Sequence, residues 1–157
     1  MRLYAFEANP DTFERLCRPD AQTSIKAEQV ALSDHAGRLE FIGGAVSHVF
    51  TSIENKCAYH VSGETTSVLC TRLDDCEIVG DSIVMKIDVE GQEMEVLNGA
   101  RRLFEQRRVK AVYIDGYVDA KLPEFLRAAG FELRDGRTLE PTDGKIHSLL
   151  AVRVQSA

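Results

Sequence analysis

The chain has 157 residues, of which 44% are hydrophobic, and its formal net charge is -6. This length fits one domain, and the apolar content can fill one core without disulfides or structural metals. The negative charge and the lack of long Lys/Arg runs argue against a nucleic-acid partner. The apolar runs are far shorter than the roughly 20 residues that cross a bilayer, so we expect no membrane partner.

Cysteine usage and the amino terminus indicate the compartment. The four cysteines form no C-x-x-C pair, and the first residues carry charge rather than a signal-peptide pattern. We therefore expect reduced thiols and a cytoplasmic protein.

The amino-terminal half alternates apolar runs with turn signals. Asn9 followed by Pro10 indicates a helix start, because asparagine caps the first turn and proline suits its first position. A turn at 33–37 predicts a hairpin-like excursion into the next strand. In chain order we predict a strand at 3–6, a helix from Pro10 to Leu16 or Cys17, strands at 29–32 and 38–42, and a long irregular connection at 43–63.

The carboxyl-terminal half shows a stronger alternation of strands and helices. Residues 92–106 place apolar side chains three and four positions apart, which is the spacing of a helix packed on a sheet. In chain order we predict strands at 65–72 and 82–88, a helix at 92–106, a strand at 109–114, a helix at 122–129, and strands at 131–133 and 148–154.

This order predicts an α/β fold: a Rossmann-like sheet that is mainly parallel, with helices on both faces. The last two strands are joined without a helix, so they should form an antiparallel pair at one end.

In such folds ligands bind beyond the carboxyl ends of the strands. The residues there are Glu7, Ser33-Asp34, Asp88-Val89-Glu90-Gly91 and Asp115. A carboxylate at a strand end can accept hydrogen bonds from two neighbouring ribose hydroxyls, which suits Glu7. Position alone equally allows Glu7 to interact with the N-terminus of the helix after Pro10.

Lys86, Asp88 and Glu90 alternate along an apolar strand, so they share one face of it and of its exit. Burying an unpaired charge costs several kcal/mol. Lys86 and Asp88 therefore either neutralise each other structurally or line a polar cleft. Gly91 and the helix N-terminus near Gln92 favour the cleft, because they suit the close approach of a ligand.

The other reactive side chains receive no role. The histidines lie in turns or irregular segments without metal-ligand spacing and should be solvated: His35, His48, His60 and His147. Cys70 and Cys76 fit core packing better than nucleophilic catalysis. Asp74 and Asp75 fit a solvated turn better than a cation site, so we expect no metal ion.

Four segments stand out by their order and spacing: Tyr4-Ala5-Phe6-Glu7-Ala8-Asn9-Pro10, Val30-Ala31-Leu32-Ser33-Asp34, Arg72-Leu73-Asp74-Asp75 and Lys86-Ile87-Asp88-Val89-Glu90-Gly91. Together they resemble the FkbM-type family of S-adenosylmethionine-dependent methyltransferases. The last segment, followed by a helix with Gly99-Ala100, is the most specific of the four, and the resemblance extends to the last strand.

The resemblance implies a single methyltransferase-like domain over residues 1–157 that uses S-adenosylmethionine. It implies that Glu7 binds the cofactor ribose, that Ser33 and Asp34 lie beside the adenine, and that Asp88 and Glu90 face the methyl group and acceptor. The implied reaction is O-methylation of a hydroxyl on a small metabolite or a sugar.

The chain departs from the family pattern in two places. Family members begin with a strand ending in an acidic, glycine-rich turn that holds the methionine part of the cofactor, whereas only residues 1–6 precede Glu7 here. The strand after the long helix commonly ends in Glu-x-His, whereas here it ends in Asp115-Gly116-Tyr117. A second hypothesis is therefore a non-catalytic methyltransferase-like module with an assembly or regulatory role.

The absent first strand would lie mid-sheet, between the strands ending at Glu7 and Asp88. Each buried, unpaired backbone group on the exposed edges would cost roughly 1–3 kcal/mol, so together they would rival the net stability of a domain. Three hypotheses fill the gap: the two strands pair directly, a partner chain in a homo-oligomer supplies a strand, or the natural start lies upstream of Met1.

Overall fold

The structure is a computed structural model that describes residues 1–18, 25–44, 47–50, 64–89, 91–117 and 119–154. Its elements are β1 (Leu3–Phe6), α1 (Pro10–Leu16), β2 (Ile25–Glu28), β3 (Ala31–Leu32), β4 (Gly37–Gly44), β5 (Ser47–Phe50), β6 (Glu64–Thr71), a 3-10 turn (Leu73–Asp75), β7 (Ile83–Ile87), α2 (Glu93–Asn98), α3 (Arg101–Glu105), β8 (Val109–Asp115), α4 (Leu122–Ala128), β9 (Phe131–Asp135) and β10 (Ser148–Arg153).

The described strands form three sheets. One has the order β7-β8-β10-β9, a second has the order β3-β6-β4-β5, and β1 pairs with β2. β7 runs parallel to β8, whereas β10 runs antiparallel to both β8 and β9. The predicted α/β class and the antiparallel carboxyl-terminal pair are confirmed, and antiparallel ladders among β4, β5 and β6 make the sheets mixed.

The main core lies between the β7-β8-β10-β9 sheet and helices α2, α3 and α4. Alternate strand residues point into it, so Met85 and Ile87 are buried whereas Val84, on the opposite face of β7, is 75% exposed. The described residues therefore leave that face of β7 uncovered at Val84, where we had expected a helix on each face.

The segment before β6 differs from its prediction. β3 and β4 do not pair as a hairpin, because each pairs with β6 instead. The irregular connection predicted at 43–63 begins with the end of β4 and with β5. Its remainder lies outside the described residues.

The helix predicted at 92–106 is divided into α2 and α3 at Gly99 and Ala100. A β-carbon at Gly99 would overlap the backbone carbonyl oxygen of Ser33, so this close approach requires glycine. The Gly99 carbonyl accepts a hydrogen bond from the Asp74 amide at 2.9 Å. The helix is therefore interrupted where it meets two segments distant in sequence.

Asp74 caps α3 and is not the solvated turn residue that we predicted. Its carboxylate accepts hydrogen bonds from the amides of Arg102 and Leu103 at 2.8 and 3.1 Å. These amides belong to the first turn of α3, where amides have no intrahelical partner. Asp75 lies at the surface and pairs with Arg72, whose Nε donates to its Oδ2 at 2.7 Å.

Replacing Asp74 with alanine should lower the free energy of unfolding by about 1–2 kcal/mol, because two helical amides lose their acceptor. Asp75→Ala is the matched control and should have a much smaller effect, since it removes only a surface ion pair. Urea denaturation measures both variants, and equal losses would contradict the capping role of Asp74.

The hypothesis that the strands ending at Glu7 and Asp88 pair directly is wrong. Among the described strands, β1 pairs only with β2, and β7 pairs only with β8. The Tyr4 hydroxyl accepts a hydrogen bond from the Val79 amide at 3.1 Å. A tyrosine side chain, rather than a backbone ladder, thus links β1 to the segment leading into β7.

No helix within the described parts of the chain is both long enough and apolar enough to cross a membrane.

Candidate functional site

The exits of β1 and β3 lie close together. Ala8, which follows Glu7, is buried in a small cluster with Ala31, which precedes Ser33 by two residues. This packing places the strand ends that carry Glu7 and Ser33 beside the same core.

Glu7 contacts the start of α1. Its Oε1 accepts a hydrogen bond from the Asn9 amide at 2.7 Å. Asn9 caps α1 as predicted, because its Oδ1 accepts from the Thr12 amide at 3.0 Å. The interpretation that Glu7 interacts with this helix start is confirmed, and the contact holds the carboxylate at the exit of β1.

Ser33 and Asp34 form a turn held on two sides. Ser33 is buried, and its amide donates to the Thr71 carbonyl at 2.9 Å. The Ser33 carbonyl lies against Gly99, at the break between α2 and α3. The exposed Asp34 Oδ1 lies 2.7 Å from His35 Nδ1.

Lys86 and Asp88 form an ion pair at the exit of β7. Lys86 Nζ donates to Asp88 Oδ2 at 2.8 Å, and the two side chains are 62% and 43% exposed. The hydrogen bond to Asp88 is the main cause that raises the pKa of Lys86. The two side chains thus neutralise each other, and they do so on an open surface. Glu90, the other predicted catalytic residue, lies outside the described residues.

Helix α2 connects the exit of β7 with the Ser33-Asp34 turn. The buried Glu93 accepts a hydrogen bond from the Gly91 amide at 2.8 Å, which holds the β7 exit against the start of α2. Burial raises the pKa of Glu95, and the negative charges of Asp34 and Asp119 raise it further. Helix α2 has six residues and is therefore roughly 9 Å long, and it ends just before the Gly99 contact with Ser33.

A second polar cluster lies at the end of β8 and the start of β10; the sequence analysis named its Asp115 but missed its His147 and Ser148. Ser148 Oγ donates to Asp115 Oδ1 at 2.8 Å, and His147 Nε2 lies 4.0 Å from the same oxygen. The Gly116 amide donates to the His147 carbonyl at 3.0 Å. The sequence analysis had predicted that His147 is solvated and had given it no functional role. His147 is brought to Asp115 by the antiparallel register of β10 on β8, which pairs Ser148 with Asp115.

The described cysteines are free thiols: Cys17, Cys70 and Cys76. Burial is the main cause that raises the pKa of Cys70 and of Cys76. The predicted core role is confirmed for Cys70, which is buried in the same cluster as Ala8.

Comparison with known proteins identifies the family. The family model described as the methyltransferase FkbM domain matches residues 1–133. The chain belongs to the FkbM methyltransferase family. The match covers Glu7, Ser33, Asp34 and Asp88, and it ends before His147.

Two methyltransferases similar to this chain are informative. The hexuronic acid methyltransferase AglP of Haloferax volcanii is 31% identical over 123 residues, which are 76% of this chain and 49% of AglP. The crystal structure of methyltransferase FkbM from Methylobacillus flagellatus superposes with a TM-score of 0.55 at 14% identity, over 96% of this chain and 36% of that one. This match shows the Rossmann-like fold, and the chain spans half or less of each relative.

Proposed function

We propose that this chain catalyses S-adenosylmethionine-dependent O-methylation of a hydroxyl group on a small metabolite or a sugar. Family membership is the observation that carries the proposal. The relative AglP is a hexuronic acid methyltransferase, which favours an acidic sugar as the acceptor.

Glu7 is proposed to hold the cofactor ribose. A carboxylate offers about four acceptor sites, and the Asn9 amide uses one of them. An acidic residue at a strand exit is the usual ribose ligand of nucleotide-binding α/β domains. The residues therefore fit the group, with Ser33 and Asp34 beside the adenine. When bound, S-adenosylmethionine supplies a methyl group on a positively charged sulfur.

Asp88 and Glu90 are proposed to face the methyl group and the acceptor. Asp88 is at the exit of β7, where ligands of open α/β sheets bind. Its negative charge would attract the positive sulfur, and this attraction strengthens when the bound ligands exclude water. Lys86 stays protonated beside it and could attract the carboxylate of a sugar acid.

The cellular compartment and the domain organisation are also proposed. The free thiols support a reducing compartment such as the cytoplasm. We also propose that residues 1–157 form one domain.

The unpaired edges of β1 and β7 within the described residues support a homo-oligomer in which a second copy supplies a strand. Light scattering on the purified protein tests this arrangement, and a stable monomer would contradict it.

The second candidate function is a non-catalytic methyltransferase-like module. The sequence Asp115-Gly116-Tyr117 at the end of β8 favours it, because the histidine common at this strand end in the family is absent.

A methyl-transfer assay separates the two candidates. The purified protein is incubated with S-adenosylmethionine labelled in its methyl group and with glucuronate, galacturonate or, as the matched neutral control, glucose. We expect label in a hexuronate, in a bond that resists mild base, because an ether survives base and a methyl ester does not. Base-labile label would place the methyl group on the carboxylate and contradict hydroxyl methylation. A folded protein that neither binds the cofactor nor transfers methyl would support the non-catalytic module.

A further inference from the structure

We propose that His147 is the general base that removes the proton from the acceptor hydroxyl, and that Asp115 positions it. The inference rests on the proposed methyl transfer and assigns a residue to its proton step. It also accounts for a chain whose β8 ends without the histidine common in the family, because here the imidazole comes from the segment leading into β10.

The location supports this role. Asp115 ends β8, and the Lys86-Asp88 pair ends β7, its parallel neighbour. Asp115 also contributes, after Asp88, to the raised pKa of Lys86, so the two clusters are within electrostatic reach of each other. A polar row therefore extends from Lys86 to His147 along the carboxyl ends of two adjacent strands, where acceptor and cofactor are proposed to meet.

The local geometry holds the imidazole in place and leaves it accessible. The backbone of His147 is anchored by the hydrogen bond from the Gly116 amide at 3.0 Å. A β-carbon at Gly116 would lie 3.6 Å from His147 Cε1, so the ring packs beside this glycine. The side chain is 81% exposed and thus open to a ligand.

Asp115 is suited to orient the ring. Its Oδ1 accepts from Ser148 Oγ at 2.8 Å and lies 4.0 Å from His147 Nε2. Catalytic contacts of this kind often shorten only when substrate binds. With Nε2–H directed at Asp115, the lone pair of Nδ1 is left to accept a proton.

Proton transfer from the acceptor accompanies methyl transfer and conserves atoms and electrons. The acceptor hydroxyl gives its proton to His147 Nδ1 while its oxygen lone pair forms the new bond to the methyl carbon. The methyl–sulfur bond breaks, and its electron pair stays on sulfur, which becomes neutral. Asp115 stabilises the imidazolium until it releases the proton to water. A carboxylate acceptor would already lack this proton, so the base is needed only for a hydroxyl.

Other charged groups near His147 bear on its pH dependence. Asp115 faces it from β8, and the Lys86-Asp88 pair lies next along the sheet. On its own segment, Lys145 pairs with Asp143 at 3.7 Å. Lys145→Gln is therefore the matched control, because it changes an exposed charge two residues away and leaves the Asp115 cluster intact.

The first test needs no turnover. The ring nitrogens of His147 are observed by NMR in the purified protein, before and after addition of S-adenosylhomocysteine and glucuronate. We expect the Nε2–H tautomer to predominate, Asp115→Asn to reduce its share, and glucuronate to shift the ring signals. The proposal would be overturned if Asp115→Asn left the share of the Nε2–H tautomer unchanged. It would also be overturned if glucuronate did not change the chemical shifts of the His147 ring nitrogens.

The second test is kinetic and uses the same hexuronate acceptor. His147→Gln should lower kcat by about 10²–10⁴-fold, the usual contribution of a general base, with KM and the affinity for S-adenosylhomocysteine within about twofold of wild type. The loss of kcat on acidification that a required general base imposes should disappear in this variant. Wild-type turnover in His147→Gln would overturn the role of His147. If the unaltered protein neither binds S-adenosylhomocysteine nor transfers methyl, the proposed function fails and the inference fails with it.

Discussion

Gly99→Ala is expected to lower the free energy of unfolding by about 3 kcal/mol or more and to weaken S-adenosylhomocysteine binding in the same variant. The added β-carbon would overlap the Ser33 carbonyl oxygen, which is backbone and cannot turn away like a flexible side chain. Either α2 or the Ser33-Asp34 turn must move. Because Ser33 and Asp34 are proposed to lie beside the adenine, stability and cofactor affinity should fall together.

Gly80→Ala is the matched control for this experiment. Gly80 has a φ of +109° but no atom within 4 Å of an added β-carbon. The Gly80→Ala substitution should therefore lower the free energy of unfolding by only about 1 kcal/mol, from backbone strain. The variant should keep its affinity for S-adenosylhomocysteine. Urea denaturation and calorimetry measure the two effects. A Gly99→Ala variant no less stable than Gly80→Ala would contradict the close packing, and unchanged affinity would contradict the placement of the adenine.

Asp88→Asn should reduce methyl transfer by about 10²–10³-fold, the usual effect of removing one electrostatic group from a catalytic site. The change is nearly isosteric, and the ion pair with Lys86 is exposed, so the free energy of unfolding should change little. A large loss of rate with normal stability would separate a catalytic role from a purely structural pair.

Asp81→Asn provides the control for Asp88. Asp81 precedes β7 and so lies towards its opposite end, and it is exposed. Its replacement should leave the rate unchanged. Equal rates for Asp88→Asn and the unaltered protein would show that the Lys86-Asp88 pair is only structural.

Elements with a local cause were predictable from the sequence. The helix α1 begins where Asn9 and Pro10 indicate, because capping depends on residues a few positions apart. β7 and β8 follow from short segments rich in apolar and β-branched residues. The break at Gly99 was not predictable, because its causes, the Ser33 carbonyl and the Asp74 amide, come from distant segments.

The same distinction applies to the candidate site. Glu7 and Asp88 are predictable as acids that follow apolar runs, but the structure places their two strands in different sheets. His147 follows no strand of its own. It reaches Asp115 only through the antiparallel register of β10 on β8, and no local pattern in the sequence encodes that register.

The most direct test of the central claim, a cofactor site at the exit of β1, is calorimetric titration with S-adenosylhomocysteine. It compares the unaltered protein with Glu7→Ala, with Glu7→Gln, which keeps an oxygen acceptor for the Asn9 amide, and with Glu14→Ala as a control on α1. We predict saturable binding that both Glu7 variants weaken at least about tenfold, or 1.4 kcal/mol, and that Glu14→Ala preserves. No binding by the folded protein, or equal binding in all variants, would contradict the account.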